Sequence, residues 1–313
     1  MSIKVYNPDG SFAGTRGRLG DGPGEFRSPA IAIWRDTLIV QDMNHRRVSI
    51  YAPNGTLVRE WPSQFNVLYP IAVDDSGRIA IPGAAPRGSI GAARCGNAML
   101  RCGTYYRYRL DGTLLDSMVI DPGSLPRYVA GVSLPFSPRR IIRFDHGGQM
   151  VWGDQDRSRI TFGWGADTSR SVELASPGRA FAVSDAVRRE AGGRYEREAR
   201  LKPGTLVDSI PRDYPLWNFF AFDGMGDLWV LRPGPSGWED HWDVFDPEGA
   251  PLGSVPAVFE AVTPFHLAWT RDRVYALVSD DQDEPVIRVY RIEHRSGPGP
   301  AGKSALQVGT PHP

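Results

Sequence analysis

The chain has little lysine, little cysteine, no net charge and no long apolar run, and each shortage excludes something. Lys4, Lys202 and Lys303 are its only lysines, and 36 Lys plus Arg balance 36 Asp plus Glu, so the formal charge is zero. Without net charge there is no long-range field to draw the protein onto phosphate backbones or anionic lipid, and nucleic acid is not an expected partner. No apolar stretch approaches the roughly 20 residues that span a bilayer, so membrane insertion is not expected. Met1 to Tyr6 is not a basic segment followed by an apolar one, so no export signal is read there. These residues already look like a strand and turn in mid-repeat, and the true start is expected to lie upstream.

Cys95 and Cys102 are the only cysteines. They are too few for a four-cysteine zinc site, and no histidine pair accompanies them at finger-like spacing. Three readings stay open: a disulfide closing a Gly-rich loop, two unpaired thiols, or a reactive pair. The first would imply an oxidising compartment. Histidine occurs at 45, 146, 241, 266, 294 and 312, and none stands with a Ser or Cys in a nucleophile motif. There is no phosphate-binding glycine loop, no dinucleotide fingerprint and no His-Glu-x-x-His pair.

What the chain has in quantity is turn formers and core material. In 313 residues it carries 35 Gly, 27 Pro and nine Trp, with 41% hydrophobic residues, far more apolar mass than a disordered chain holds. The turn formers recur in register. Val5-Tyr6-Asn7-Pro8-Asp9-Gly10 returns as Ile50-Tyr51-Ala52-Pro53-Asn54-Gly55, as Tyr108-Arg109-Leu110-Asp111-Gly112 and as Val244-Phe245-Asp246-Pro247-Glu248-Gly249. Weaker copies stand at Arg159 to Trp164 and Ile287 to Ile292. In each, a strand end runs into a turn where Pro presets φ, Asn or Asp bonds its own backbone and Gly accepts positive φ.

Before every copy but the first lie two short apolar strands joined by a tight polar turn: Ile31 to Trp34 with Leu38 to Gln41, Ile71 to Asp74 with Arg78 to Pro82, Ile141 to Asp145 with Met150 to Gly153, Phe219 to Asp223 with Leu228 to Leu231, and His266 to Trp269 with Val274 to Val278. Alternation over such short runs marks half-buried strands. Four strands per unit, repeated six times, predict an all-β fold, a six-bladed β-propeller. Its first blade lacks two inner strands and its last lacks an outer one. The alternative is a five-bladed ring completed by the N-terminal hairpin. Residues 1–293 form the propeller, and 294–313, rich in Gly, Pro and Ser, are expected to be a disordered tail.

The run Arg18-Leu19-Gly20-Asp21-Gly22-Pro23-Gly24-Glu25-Phe26-Arg27-Ser28-Pro29, followed by Asp42-Met43-Asn44-His45-Arg46-Arg47-Val48-Ser49-Ile50-Tyr51, resembles bacterial six-bladed propellers of the NHL-repeat and TolB-like type. The resemblance implies an exported protein, at the periplasm or cell surface, with a cytoplasmic location as the alternative. Propellers of this architecture include lactonases, an amidating lyase and many binding scaffolds, and fold alone does not choose among them.

All long connections fall on one face: Pro62 to Tyr69, Gly83 to Gly103, Asp121 to Pro138, Ala175 to Pro215, Arg232 to His241 and Phe259 to Pro264. Rigid scaffolds carry function on such loops, so the site is sought there. The longest connection predicts a helical insertion near 183–202, with Ser184 or Asp185 as N-cap and Gly192 and Gly193 splitting it, either a solvated decoration or a lid. Glu196 and Arg200, at i and i+4, read as a surface pair.

The candidate ligand-binding residues are Asp21, Glu25, Arg27, Asp42, Asn44 and His45, which could take an anion or a sugar, or could instead shape the entry into a blade. Trp238 and Trp242, with Trp217 and Tyr214, offer flat surfaces for sugars and peptides. His241 and His266, at strand ends late in the chain, could be ligands or a general base. Acidic residues at Asp154, Asp156, Glu239, Asp240, Asp280, Asp281, Asp283 and Glu284 admit a calcium site of the kind the lactonase resemblance implies. The reading that follows is a non-catalytic binding or scaffold propeller without cofactor, recognising a carbohydrate, peptide or protein on its long-loop face. The alternative is a calcium-dependent lactonase-like hydrolase or lyase with the metal in the central channel.

Overall fold

The computed structural model describes every residue except 1, 8–10, 64–70, 85–102, 120–126, 131, 165–166, 175–180, 235–238, 259–266, 281, 296–304 and 309–313. The chain forms two compact units, one made of Met1–Pro122 with His146–Met150 and Gly163–Asp167, the other of the remaining residues.

The first unit opens with a hairpin, β1 (Ile3–Tyr6) and β2 (Phe12–Arg16), which is a two-stranded sheet. Two antiparallel four-stranded sheets follow. One is β3 (Pro29–Trp34), β4 (Thr37–Asp42), β5 (Arg47–Tyr51) and β6 (Leu57–Pro62); the other is β7 (Ala72–Val73), β8 (Ile79–Ala84), β9 (Gly103–Tyr108) and β10 (Leu114–Val119). In both, each strand pairs with the next in sequence, as short turns require.

The turn chemistry is local and repeated. Between β5 and β6, Gly55 takes φ of 83°, its N–H donates to Ala52 O at 2.8 Å, and Asn54 Oδ1 accepts the Thr56 N–H at 3.0 Å. Between β7 and β8, Asp74 Oδ1 accepts the N–H groups of Ser76 and Arg78 at 3.0 and 2.8 Å. Period-2 alternation then decides which side of each strand is buried. Ile39, Val48, Ile50 and Trp61 of the first sheet pack with Ile79, Ile81, Tyr106 and Tyr108 of the second. On the opposite side of the first sheet, Phe26, Val40 and Tyr51 form a smaller cluster with Ile3 of β1.

The second unit contains a short hairpin, β11 (Tyr128–Val129) with β12 (Val132–Ser133), two four-stranded sheets and most of a third. These are β13 (Arg140–Phe144) to β16 (Asp167–Glu173) through β14 (Met150–Asp154) and β15 (Arg159–Trp164); β17 (Phe219–Phe222) to β20 (Pro251–Pro256) through β18 (Leu228–Pro233) and β19 (Glu239–Phe245); and β21 (Leu267–Trp269) to β24 (Ala305–Val308) through β22 (Arg273–Ser279) and β23 (Pro285–Arg295). One core gathers Val151, Ile160, Phe162, Trp217, Phe220 and Val230; another gathers Trp229, Trp242, Val244, Val274, Ala276 and Tyr290. Each fully buried Val, Ile or Phe side chain among them contributes roughly 1.5–3 kcal/mol.

The insertion carries helix α1 (Asp185–Glu198), capped by Ser184, whose Oγ accepts the Val187 N–H at 3.2 Å. Contrary to expectation, Gly192 and Gly193 do not split it. A Cβ on Gly192 would lie 2.8 Å from Val207 Cγ2, so glycine there admits the 3-10 turn Val207–Ser209 against the helix. Glu196 is not a surface residue either: it is buried and accepts the N–H groups of Gly204 and Leu206 at 2.9 and 2.7 Å. Leu134, Leu206 and Ile210 pack with Val129, Val132 and Tyr195, so the insertion and the β11–β12 hairpin share a core.

Among the described residues five four-stranded sheets are formed rather than the six blades expected, and the first repeat is described only as β1–β2. The last sheet does have its outer strand, because β23 continues to Arg295 and pairs along Ile292 to Arg295 with β24. The expectation of disorder across 294–313 therefore fails at both strand segments; a four-residue strand inside a Gly- and Pro-rich tail has too little pattern to be seen. Five sheets agree in number with the five-bladed alternative, and β1 and β2 pair with each other. Among the described residues no helix is long and apolar enough to cross a membrane.

Candidate functional site

Asp21, Glu25 and Arg27 lie on the segment leading into β3, and Asp42, Asn44 and His45 on the link from β4 to β5. Both segments sit at the end of this sheet opposite the Gly55 turn, and the structure brings them together. His45 lies between two carboxylates, its Nε2 2.6 Å from Asp21 Oδ1 and its Nδ1 bonded to Asp42 Oδ2. Arg27 donates from Nε and Nη2 to the two oxygens of Asp21 at 2.7 and 3.0 Å, the bidentate fork that fixes both groups.

Asp42 is buried and fully committed: Oδ2 accepts the Arg27 N–H at 3.1 Å, and Oδ1 accepts those of Ser28 and Asn44 at 3.2 Å each. It thus caps the β4–β5 link, and it holds His45. Asn44 enters through its backbone N–H. Glu25 folds back on its own loop, with Oε2 accepting the Gly22 N–H at 2.8 Å and Oε1 accepting Arg18 Nε at 2.6 Å.

Arg47 stands outside the candidate ligand-binding residues. It donates to Gly22 O at 2.7 Å, to Glu25 O, to Asp21 O at 3.3 Å and to Glu60 Oε1 at 3.3 Å, tying the loop to β5 and β6. Tyr51 OH adds a bond to Gly24 O at 3.0 Å. The signal was present in Arg46-Arg47 following His45, but nothing in the sequence says which arginine turns inward.

Titration follows this geometry. Hydrogen bonds from Arg27 and then His45 hold Asp21 down at about 2. Bonds to Asp42 and then Asp21 raise His45 above its ordinary value. Partial burial pushes Asp42 up, but His45 and the N–H groups around it prevail and keep it below the usual carboxylate range. The backbone N–H of Gly22 and then Arg18 lower Glu25. Such opposed shifts keep the cluster ionised across neutral pH on its acidic side and favour the imidazolium. The side chains of Asp21 and Arg27 are 65% and 51% exposed.

The other candidates do not join this cluster. Trp242 is 2% exposed, its ring within 6.4 Å of Trp229 and 5.5 Å of Trp269; it belongs to the core and offers no ligand surface, since β19 turns it inward between two sheets. Trp217 and Tyr214 are buried as well. His241 is half-buried, with Nε2 3.4 Å from Asp243 Oδ1, a carboxylate that also holds Arg232 at 2.9 Å and Ser254 at 2.6 Å. Trp238 and His266 lie outside the described residues, as do Cys95 and Cys102.

The acidic residues have other partners too. Asp154 forms a bidentate pair with Arg140 at 2.9 and 2.8 Å, and Asp280 Oδ1 accepts the N–H groups of Gln282 and Glu284 at 2.8 and 2.9 Å, which makes it a turn former. Among the described residues no group of three or more His, Cys, Asp or Glu is placed to hold a metal ion; Asp281 is not among them.

No protein-family model matches the chain, and no curated protein does. Solved structures do. One, from Bacteroides fragilis and described as a candidate exported protein, is similar at a TM-score of 0.54 and 13% identity over 89% of this chain and 74% of the other. A protein of unknown function from Bacteroides caccae gives 0.44 and 13% over 90% and 81%. Virginiamycin B lyase from Staphylococcus aureus gives 0.37 and 12% over 90% and 69%. The last two scores are too low to carry an argument. Identities of this order speak to fold alone, and the fold is a β-propeller.

Proposed function

We propose that the chain is a non-catalytic recognition propeller, taking a carbohydrate, peptide or protein at the long-connection end of its sheets. The observation that carries this reading is the cluster around Asp21. Its inner members, Asp42, Glu25 and Arg47, are spent on holding the loop, while Asp21 and Arg27 are fixed by one another and remain exposed. A rigid surface that presents both an acceptor and a donor fork suits a ligand with hydroxyl or amide groups, whose donors and acceptors alternate. His45 is held by carboxylates on both ring nitrogens, which favours its protonated form and suits it to positioning Asp21 rather than to acting as a general base. The same reading takes the protein to be exported.

The test is a glycan array and a peptide array probed with the protein and with Arg27→Ala and Asp21→Asn. Saturable binding that both variants lose while each still melts in a single cooperative transition supports the reading. Calcium-dependent turnover of a lactone or ester by the unmodified protein would overturn it.

A further inference from the structure

Both ring nitrogens of His45 face carboxylates, Nε2 at 2.6 Å from Asp21 Oδ1 and Nδ1 bonded to Asp42 Oδ2. An ionised carboxylate only accepts hydrogen bonds, and a neutral imidazole carries a single N–H. A neutral ring therefore satisfies one of these neighbours and turns a lone pair on the other. Only the imidazolium donates to both.

The two carboxylates differ in how easily they can leave. The side chain of Asp42 is 2% exposed and accepts three backbone N–H groups besides the imidazole. The link that carries His45 is fixed as well. Met43 N–H donates to Ser28 O at 3.0 Å, Ser63 N–H donates to Arg46 O at 2.6 Å, and Arg46 turns the chain at a φ of 52°. The ring cannot follow a neighbour that moves. Asp21, by contrast, faces water, and its other side-chain bonds come from Arg27, itself half exposed. The loop backbone stays in place, because Arg47 holds Asp21 O, Gly22 O and Glu25 O. Loss of the proton thus falls on the Asp21 carboxylate and on the Arg27 fork bonded to it.

We propose that His45 is a proton-operated latch on this exposed pair: protonated, it fixes Asp21 and Arg27 in the arrangement that meets a ligand, and neutral, it keeps Asp42 and lets Asp21 swing away. What the latch governs rests on the recognition reading above, whereas the latch itself can be observed without a ligand. The charges around the ring set its direction. Asp42 and Asp21 favour the imidazolium and Arg47 opposes it, with the exposed Arg46 a second cation on the same link. Arg27 is turned to Asp21, Arg18 to Glu25, and Glu60 of β6 to Arg47. Their sum raises His45 above its ordinary value. The latch is closed below that raised value and opens as pH climbs through it, so ligand is held on the acid side and released on the alkaline side.

The test is NMR of the whole protein between about pH 5 and 9, following the His45 ring nitrogens, the Arg27 Nε–H and the Asp21 carboxyl carbon. Both ring nitrogens should carry hydrogen at about pH 6, and the Arg27 and Asp21 signals should shift with the midpoint of His45. His45→Asn, which keeps one donor for Asp42 but does not titrate, should hold both signals constant over this range. Asp21→Asn should lower the midpoint of the ring. The proposal is overturned if the ring carries one proton at about pH 6, if the Arg27 and Asp21 signals stand still while His45 titrates, or if they still shift in His45→Asn. The glycan and peptide arrays are then repeated on both sides of the midpoint. Binding lost above it supports the latch, and binding equal on both sides overturns it. Arrays that stay blank at every pH reject the recognition reading, and the NMR titration still decides the latch.

Discussion

Leu206 donates its backbone N–H to the Oε1 of Glu196 across ten residues of chain, at 2.7 Å and out of contact with water. With the second bond, from Gly204, one carboxylate closes the segment that leaves α1 and returns it to the 3-10 turn. Hydrogen bonds to a charged group contribute about 1.5–3 kcal/mol, and removing the acceptor leaves buried donors unmet. Glu196→Ala should therefore cost about 2–4 kcal/mol and speed proteolytic cleavage within residues 199–206. Equal cleavage rates would show that the carboxylate holds nothing.

Stability should depend on pH through His45. Its folded value is raised above 6.5, so its contribution is complete below 6.5 and fades as pH rises through the folded value. Asp21 is lowered from 3.8 to about 2, so its contribution is complete above 3.8 and fades as pH falls toward 2. The gap in melting temperature between the protein and His45→Asn should be widest between about pH 4 and 6.5 and should narrow on both sides. A gap that is constant with pH would mean that the imidazole acts by packing alone.

Gly224 stands where two backbones nearly touch. A Cβ there would lie 2.3 Å from the backbone nitrogen of Arg271, beside the bond from Gly224 N–H to Thr270 O at 3.0 Å. Backbone cannot yield as a side chain can, so Gly224→Ala should lower stability by about 1–3 kcal/mol. Urea unfolding would register this as a lower midpoint at constant slope, and an unmoved midpoint would show that the two turns part without strain.

Gln41 is a polar residue in an apolar place. It is 1% exposed and neither polar atom of its amide has a hydrogen-bond partner among the described residues. Desolvating an unmet amide costs about 1–3 kcal/mol, so Gln41→Met, of similar volume, should raise stability by a comparable amount. A fall in stability would reveal that the amide is bonded in solution.

The fold was legible because its punctuation is local. Asn54-Gly55, Asp111-Gly112 and Asp246 to Gly249 reverse the chain with bonds made inside the turn, so each hairpin declares itself within six residues. The candidate cluster was legible in membership, since Asp21, Arg27, Asp42 and His45 do meet, but not in arrangement. Which carboxylate takes the imidazole, and that Arg47 faces inward, depend on where two segments cross. Long-range burial was the least legible. Glu196 looks like a helix-surface partner for Arg200 by spacing, and Trp242 looks like a binding platform by composition. Both are placed by residues distant in sequence, Leu206 in one case and Trp229 and Trp269 in the other. β24 was missed for the plainer reason that four residues carry almost no periodicity.

Trp229, Trp242 and Trp269 stand with ring centroids 4.9 to 6.4 Å apart and planes inclined by 48° to 74°. Three indoles held so close and so far from coplanar share their excited states, and the protein should carry a coupled circular-dichroism signal in the indole bands that no isolated tryptophan gives. That signal is a built-in gauge of one interface, β17–β20 against β21–β24. It would report the parting of these two sheets without a label, and separately from the melting of the remainder of the chain.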